Sequence, residues 1–363
     1  MATNLRKITA ALRQCRRAAT HYDRPFPAVA ARVIRLKAVE KFRPKESFLW
    51  GLADPGTPIA RVREYASRGQ LYRLQRRHNS MSLSYLTEDK ATFYAYCQGA
   101  GITVPRLHGV YHRHGGWISG DAARTLHERS DWRRYFAEEA PSPLAIKPSK
   151  GVYARGLRLL ERDDGGWRDA QGDAVDIDRL LDEMDGDSSY DAFILQDRLR
   201  NDDALRELSG SEALQTARVV TLVDGDRRPR VLFACFKVIN SAHLSDNFDY
   251  GTSGNLLADI DLETGELRSV KGKDPSGFGL RDFDRHPGTG VEFAGLRLPH
   301  WPETRRLAEA AALKFMPLRT IGWDIGITPD GPSIVEGNVW WDGLHNAHGH
   351  LGRYRRTFDG DRR

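Results

Sequence analysis

The chain has 363 residues, of which 40% are hydrophobic and 29% charged, with a formal net charge of +6. This composition provides for a folded core and excludes a disordered chain. No apolar run approaches the roughly 18 residues of a membrane-spanning helix, and the first residues lack the apolar stretch of a secretory signal. Three widely spaced cysteines form no metal or redox motif, which predicts free thiols in a reducing, cytoplasmic location.

The net charge hides an uneven distribution. Residues 1–80 carry 18 lysines and arginines against five acidic residues, a formal charge of +13, and residues 81–363 carry −7. Apolar residues recur at helical spacing within residues 1–48, and Pro25 and Pro27 divide this stretch into two predicted helices. Such basic helices either present solvated faces or contact an anionic surface, and both alternatives remain open.

After residue 80 the pattern changes to a helix followed by short extended runs. Thr87 is the predicted N-cap of the helix, and Gly99 and Gly101 end it. A later helix is predicted from about Pro302 to Phe315. The β-rich runs are 144–147, 157–160, 193–196, 217–223, 231–238, 256–262 and 266–270. Strands linked by hairpins, with helices before and after them, predict an α+β fold rather than a doubly wound sheet.

The segment 144–159 reads as a strand, a glycine-containing loop and a second strand. It contains Gly151 and Gly156, but Leu157-Arg158 stands where a Walker loop needs Lys-Ser/Thr, so it is not a P-loop. Backbone N–H groups of such a loop can still cover phosphates. Lys147, at the end of the first strand, is placed to meet phosphate oxygens.

A hairpin of two extended runs around Pro329-Asp330-Gly331 is the most informative segment. With a three-residue loop, Asp324 faces Glu336, and Asn338 lies on the same face as Glu336. Two facing carboxylates repel unless a cation lies between them, and an all-oxygen ligand set favours Mg²⁺. The alternative is an acidic hairpin that is exposed to solvent. The apolar residues next to these acids argue against that alternative.

The order of these features resembles the ATP-grasp superfamily over about residues 83 to 346. The shared features, in chain order, are Asp89-Lys90, Gly101–Pro105, Ile146–Ser149, Phe193–Asp197, and Asp324 followed by Glu336 and Asn338. At a finer level, the chain resembles the sugar-transfer-associated branch of this superfamily, which is related to α-L-glutamate-ligase-like proteins. This resemblance is carried by Thr216-x-Arg218-x-x-Thr221, Asp246-Asn247-x-x-x-Gly251, Gly254-Asn255-Leu256, Asp261-x-x-Thr264-Gly265, His286-Pro-x-Thr-Gly290 and Gly322-Trp-Asp324.

The resemblance implies two α+β lobes that clamp ATP, preceded here by a helical basic region instead of the family's frequent βαβ lobe. The domains expected are a basic helical region 1–80, a connecting subdomain 81–140, a glycine-loop and adenine-hinge segment 141–200, a Mg-binding lobe 201–350, and a basic tail 351–363.

The resemblance also assigns site residues. The expected ATP-binding residues are Lys90, Lys147, Ser149, Gly151, Gly156, Leu195, Gln196, Asp197 and Leu199, where Gln196 replaces a glutamate common in the family. The expected ligands of Mg²⁺, with Mn²⁺ as an alternative ion, are Asp324, Glu336 and Asn338. Expected catalytic residues are Lys237, Arg218 and His286, and expected substrate contacts are Asn247, Asn255, Trp340 and Trp341. For the two tryptophans a place in the core is an equal alternative.

The implied function is an ATP-dependent carboxylate–amine ligase that forms an acylphosphate, releases ADP and phosphate, and serves glycan or small-molecule biosynthesis. Its partners would be a small carboxylate and an amine or glycan-linked acceptor, without nucleic acid. Residues 1–48 would offer a transient contact with a carrier or the inner membrane face. A sugar or small-molecule kinase is the alternative, because it needs the same phosphate machinery. A non-enzymatic binding protein acting through the basic helices is a further alternative.

Overall fold

A computed structural model describes residues 2–113, 115–120, 123–151, 155–240, 245–349, 351–352 and 357–358, without the side chains of residues 2–5, 7 and 345. Its helices are α1 (Ala2–Tyr22), α2 (Phe26–Ala38), α3 (Pro44–Leu49), α4 (Ile59–Val62), α5 (Arg68–His78), α6 (Tyr85–Glu88), α7 (Lys90–Gly99), α8 (Arg129–Arg134), α9 (Ile177–Gly186), α10 (Asp203–Ser209) and α11 (Trp301–Lys314). Its strands are β1 (Leu107–His112), β2 (Gly115–Ile118), β3 (Arg124–Leu126), β4 (Leu144–Pro148), β5 (Arg158–Asp163), β6 (Gly166–Asp169), β7 (Ala192–Asp197), β8 (Thr216–Val223), β9 (Pro229–Val238), β10 (Leu256–Ile260), β11 (Leu267–Lys273), β12 (Leu280–Asp282), β13 (Thr320–Thr328) and β14 (Gly331–Asn338).

These strands form two antiparallel sheets. The first has the order β3-β2-β1-β7-β4-β5-β6 and the second β12-β11-β10-β9-β8-β13-β14. Every predicted β-rich run overlaps a strand, and the helix predicted from Pro302 is α11. The α+β class is therefore confirmed, and strands of neighbouring position in the sequence mostly pair through hairpins, as the turn residues indicate.

The basic N-terminal region is helical, as predicted, and packs on the second sheet. Cys15 and Ala18 of α1 and Val29 and Val33 of α2 share a core cluster with Phe278, from the connection between β11 and β12. At the other end of the region, Asn79 and Thr320 exchange two hydrogen bonds of 2.9 Å. No helix in the described ranges is long and apolar enough to cross a membrane.

The start of α7 differs from the prediction. Thr87 lies in the short helix α6, and the N-cap of α7 is Asp89, whose carboxylate accepts a hydrogen bond from the Thr92 amide at 2.9 Å. Either side chain can cap a helix, but α6 ends in the extended residue Asp89, so the new helix starts there. This places Lys90 in the first turn of α7.

The register of β13 and β14 agrees with the prediction at the acidic residues, but the loop does not. Thr328 pairs with Gly331, so the loop has two residues rather than the predicted three. A β-bulge next to Asp324 shifts the register by one residue, and Asp324 therefore faces Glu336 after all. The three-residue loop is thus wrong, and the predicted pairing is confirmed through a bulge that the turn sequence does not reveal.

Candidate nucleotide and metal site

A cleft between the two sheets brings together predicted residues from both walls. One wall comes from α7, β4 and β7, and the other from β9, β13, β14 and the segment that follows residue 244. The predicted residues that line it are Lys90, Lys147, Gly151, Gln196, Asp197, Leu199, Lys237, Asn247, Asp324 and Glu336. Residues as far apart in the chain as Lys90 and Glu336, 246 positions, therefore share one cleft.

Two lysines dominate the wall formed by the first sheet. The Lys90 ammonium lies 3.2 Å from the Glu336 carboxylate and donates to the Gly151 carbonyl at 3.0 Å. The partly buried Lys147 donates to the Tyr94 hydroxyl at 3.1 Å, and the described residues provide no ion pair for it. Burial, reinforced by the positive charge of Lys90, lowers the pKa of Lys147 to about 7, although Glu336 opposes the shift.

On the opposite wall, which the second sheet forms, buried groups of opposite charge pair with one another. Arg218 on β8 is paired in register with Asp324 on β13, and its Nε and Nη2 donate to the two carboxylate oxygens at 2.7 and 2.9 Å. Lys237 on β9 lies 3.1 Å from Asp324 and 3.4 Å from Asp246. Asp246 in turn accepts hydrogen bonds from the backbone N–H and the hydroxyl of Thr216, at 2.9 and 2.6 Å.

These contacts decide the protonation of the buried groups. Burial alone would raise the pKa of Asp324, but Arg218 and Lys237 outweigh it and hold that pKa well below its usual range. Burial likewise pulls the pKa of Lys237 down, whereas Asp246 and Asp324 outweigh it and raise that pKa. Lys237 and Asp324 are therefore both charged at neutral pH.

The predicted metal ligands fit Mg²⁺ by their chemistry. Asp324 and Glu336 face each other across β13 and β14, and the Asn338 amide lies 3.3 Å from Asp324. The described residues hold no cluster of three His, Cys, Asp or Glu side chains suited to a metal, and Asp324 is already bonded to Arg218. The set therefore fits an ion that obtains most of its ligands from phosphate and water, which is the common pattern for Mg²⁺.

The predicted adenine hinge follows β7 into the cleft. Gln196 is buried, and its Oε1 has no hydrogen-bond partner in the described part of the chain, whereas its Nε2 donates to the Asp197 carbonyl at 3.3 Å. A buried amide oxygen without a partner is costly, so this atom is suited to receive a donor from a ligand. The Asp197 carboxylate, by contrast, is bound to His108 at 2.6 Å.

A family model described as sugar-transfer associated ATP-grasp matches residues 70–348. The chain belongs to this ATP-grasp family. The ATP-grasp fold expected from the sequence is thereby confirmed, and the cleft described above lies wholly within the matched residues. The family match begins at residue 70, so it leaves out α1 to α4.

Solved structures similar to this ATP-grasp chain share few identical residues with it. Phosphoribosylamine–glycine ligase from Thermotoga maritima has 10% identity and a TM-score of 0.42, covering 78% of this chain and 57% of its own. N5-carboxyaminoimidazole synthetase from Staphylococcus aureus, complexed with ADP, has 10% identity and a TM-score of 0.42, covering 77% and 53%. The VanG D-Ala:D-Ser ligase from Enterococcus faecalis has 14% identity and a TM-score of 0.37, covering 73% and 56%. The chain thus spans little more than half of each structure, and the likeness carries no conclusion about its substrates. No curated protein sequence matches the chain.

Two residues expected to contact ATP in this ATP-grasp chain have other tasks. The buried Ser149 hydroxyl donates to Asp89 at 2.9 Å and accepts from the Ala91 N–H at 3.2 Å, so it fixes the start of α7. Leu195 is fully buried in the core of the first sheet, because it points to the opposite face from Gln196. Residues 152–154 of the predicted glycine loop lie outside the described residues.

Gly156 has a backbone reason to be glycine. Its φ is +72°, and an added Cβ would lie 2.9 Å from the Pro148 ring. Both the left-handed backbone and the close approach of the proline exclude other residues without rearrangement. Gly156 therefore shapes the loop, while the carbonyl of Gly151 receives the Lys90 ammonium.

His286 does not fit the predicted catalytic role. Its ring is 2% exposed, and its Nδ1 accepts the N–H groups of Gly288 and Thr289 at 3.2 and 3.1 Å. Its Nε2 therefore carries the proton and donates to the Ile239 carbonyl at 2.8 Å. Both nitrogens are occupied by backbone, so we correct the assignment to a structural histidine that holds the end of β9.

Of the four expected substrate contacts, one lines the cleft and three lie elsewhere. Trp341 is 2% exposed, packs on Phe233 and donates to the Thr320 hydroxyl, so the core alternative holds. Trp340 stacks on Tyr72 with ring centroids 4.4 Å apart, outside the cleft-lining set. Asn255 is 1% exposed and bonds to the backbone of residues 240, 245 and 247. It therefore holds the segment that carries Asn247, which does line the cleft.

Three site residues were not assigned a role from the sequence. Asp246 is in a quoted family motif, yet its ion pair with Lys237 depends on the path of the chain between β9 and β10. Tyr94 lies one helical turn after Lys90, and its hydroxyl accepts a hydrogen bond from Lys147. Its four-residue spacing from Lys90 is the sequence signal that could have identified it. Asp342 lies 3.4 Å from Arg218 and follows the two tryptophans, where no pattern marks it.

Proposed function

We propose that this protein is an ATP-dependent ligase that activates a carboxylate as an acylphosphate and joins it to an amine, forming ADP. The observation that carries the proposal is the pairing of the two walls of one cleft. Lys90 and Lys147 face Asp324 and Glu336 across it, and Lys147 has no carboxylate partner in the described residues. A triphosphate with its divalent cation is complementary to such a set.

Each cleft residue has a task in this scheme. Lys147 and Lys90 bind phosphate oxygens as point charges, and Gln196 and Leu199 lie where the base would be held. Asp324, Glu336 and Asn338 would hold Mg²⁺, which when bound neutralises charge on the transferring phosphate. Lys237 and Asn247 also line the cleft, and the scheme puts the reacting groups beside Lys237 and Asp324, to which Arg218 is bonded.

The reaction divides into two balanced steps. A carboxylate oxygen of the substrate forms a bond to the γ-phosphorus while the bond from that phosphorus to the ADP oxygen breaks, which gives an acylphosphate and ADP. A neutral amine then forms a bond to the acyl carbon and loses a proton, and inorganic phosphate leaves with the electron pair of the broken C–O bond. Positioning and electrostatics supply most of the rate in such transfers.

The charges at the reacting end favour a carboxylate over a hydroxyl as the group that attacks phosphorus. A carboxylate is ionised at neutral pH and needs no base, whereas a hydroxyl gives up a proton. The buried carboxylates there, Asp324 and Asp246, are paired with Arg218 and Lys237. Since neither is available as a free base, the ligase agrees better with the geometry than the kinase.

Product analysis tests the proposal. The purified protein is incubated with ATP, Mg²⁺ and a panel of carboxylates and amines that includes amino acids and amino sugars, with Glu336→Gln as background. We expect equal amounts of ADP and inorganic phosphate with an amide detected by mass. A phosphorylated acceptor without free phosphate would show a kinase and overturn the ligase.

A further inference from the structure

A second cavity lies next to the nucleotide cleft, between the N-terminal helices and the second sheet. Arg43 and Arg68 line it from the helical side, while Arg218, Lys237, Asn247 and Tyr250 line it from the lobe. Lys237 and Asn247 line the nucleotide cleft as well. A molecule in this cavity would therefore reach the end of the cleft where Lys237 and Asp324 meet.

A buried glutamate sets the two arginines side by side. Glu46 is 4% exposed, and its Oε2 accepts the Arg43 N–H at 2.7 Å while its Oε1 accepts the Arg68 N–H at 2.8 Å. One carboxylate thus joins the start of α3 to the start of α5. Both carboxylate oxygens of Glu46 are thus engaged by backbone amides, and no ion pair joins Glu46 to either guanidinium in the described residues.

The other basic groups of the cavity have acidic partners, and three acidic residues, Glu46, Asp249 and Asp342, line it as well. Arg218 binds Asp324 and also lies 3.4 Å from Asp342, and Lys237 lies between Asp246 and Asp324. Arg43 and Arg68 are exposed at the cavity wall, and within the described ranges neither guanidinium has an ion pair or hydrogen bond. The helical side of the cavity therefore presents two guanidinium groups with unused hydrogen-bond donors in the described residues, beside the carboxylates of Glu46 and Asp249.

Tyr250 forms the floor between these groups. Its backbone is left-handed, with φ +53°, and Asp249 before it has φ +40°. Such conformations are rare outside glycine and cluster at functional sites. Burial raises the pKa of Tyr250. The charges of Arg68, Glu46, Asp342 and Arg43 all act on its phenol, so the tyrosine lies among the charged groups of the cavity.

We propose that this cavity binds the acyl substrate of the ligase, and that this substrate carries two anionic groups. Its reacting carboxylate lies at Lys237 and Arg218, and a second anion, a carboxylate or a phosphate, lies between Arg43 and Arg68. The inference rests on the proposed function for the identity of the first group. The N-terminal helices thereby complete the active site instead of only supporting it.

Binding of small anions to the intact chain tests the inference. Glutarate and O-phosphoserine are the dianionic probes, and butyrate and serine are their counterparts without the second anion. Each is titrated by calorimetry into the protein saturated with ADP and Mg²⁺. We expect at least one dianion to bind roughly tenfold or more tightly than its counterpart, because hydrogen bonds to charged groups are worth that much. The dianion that binds distinguishes a carboxylate from a phosphate as the second anion.

Variants connect that preference to the arginines. Arg43→Gln and Arg68→Gln are each expected to remove most of the preference for the dianion, without changing the affinity for ADP. Arg61→Gln, an exposed arginine outside the cavity, is the matched control and should behave as the wild type. Equal binding of dianions and counterparts, no binding of either dianion, or a preference that survives both substitutions would overturn the inference. Failure of ADP itself to bind would instead overturn the proposed function.

Discussion

Two lysines on strands of the two sheets face the same cleft under opposite conditions. Lys237 is buried between Asp246 and Asp324, and its pKa is raised. Lys147 lies beside Lys90 and Tyr94, and burial and Lys90 lower its pKa to about 7. The wall of the second sheet is thus neutralised by the protein, while the wall of the first sheet has positive charge to offer. Lys147 is therefore the lysine with no carboxylate partner in the described residues, whereas Lys237 has two.

Removing Asp324, which pairs with both Arg218 and Lys237, should have the largest effect on stability. Asp324→Asn leaves Arg218 and Lys237 without their shared carboxylate, and breaking a buried ion pair costs about 3 to 5 kcal/mol of unfolding free energy. Urea unfolding measures it, with Asp330→Asn at the exposed turn as the matched control. A loss close to that of the control would show that this wall does not depend on the pairing.

Glu336 separates catalysis from stability, because its side chain is 33% exposed and contacts only Lys90 among the charged groups described. Glu336→Gln should lower ATP turnover by about 100-fold, which is typical for loss of one group that stabilises transferring charge. The unfolding free energy should change by less than in Asp324→Asn, because Glu336 has one charged partner and keeps a third of its side chain in solvent. Turnover that persists at saturating Mg²⁺ would remove Glu336 from the metal set.

Lys147 should make the stability of the nucleotide-free protein depend on pH. Its pKa is about 7 in the folded state and near 10.4 when unfolded, so between these values the unfolded chain binds more protons. Stability due to Lys147 therefore rises from pH 7 to about pH 10, and Lys147→Met should remove that rise. Urea midpoints over this range measure the difference, with the exposed Lys37→Met as control. Parallel pH curves for Lys147→Met and wild type would contradict the assignment.

Trp340 lies outside both walls and should have the smallest effect. Trp340→Phe keeps the stacking on Tyr72 and loses one hydrogen bond of 2.8 Å from Nε1 to Glu88. We expect less than about 1 kcal/mol of lost stability and turnover within about twofold of wild type. A tenfold rise in the KM of the acceptor would restore Trp340 as a substrate contact.

The sequence predicted the parts of this molecule that depend on local pattern. The strands around Lys147 and Lys237 and the N-terminal helices follow from periodicity and turn residues. The facing pair Asp324 and Glu336 was predicted correctly, but from a three-residue loop that the structure does not have. Family resemblance added Lys90 and the hinge, because short motifs in a fixed order do not depend on knowing the contacts.

What could not be predicted depends on contacts between distant strands. Arg218 meets Asp324 only because β8 pairs with β13, across more than 100 residues of chain. The burial of His286 and Trp341 was equally invisible, since a polar or aromatic residue beside a motif can face either the core or the cleft. The bulge beside Asp324 shows that even a confirmed register can have a cause that the sequence does not display.

Lys147 is central to the proposed function, because a bound phosphate would stabilise its protonated form. Calorimetric titration of ADP with Mg²⁺ at pH 8, in two buffers of different ionisation enthalpy, counts the protons taken up on binding. With a pKa of about 7 before binding, Lys147 should take up close to one proton in the wild type, and Lys147→Met should take up none. Binding without proton uptake in the wild type, or equal uptake in the variant, would contradict the account.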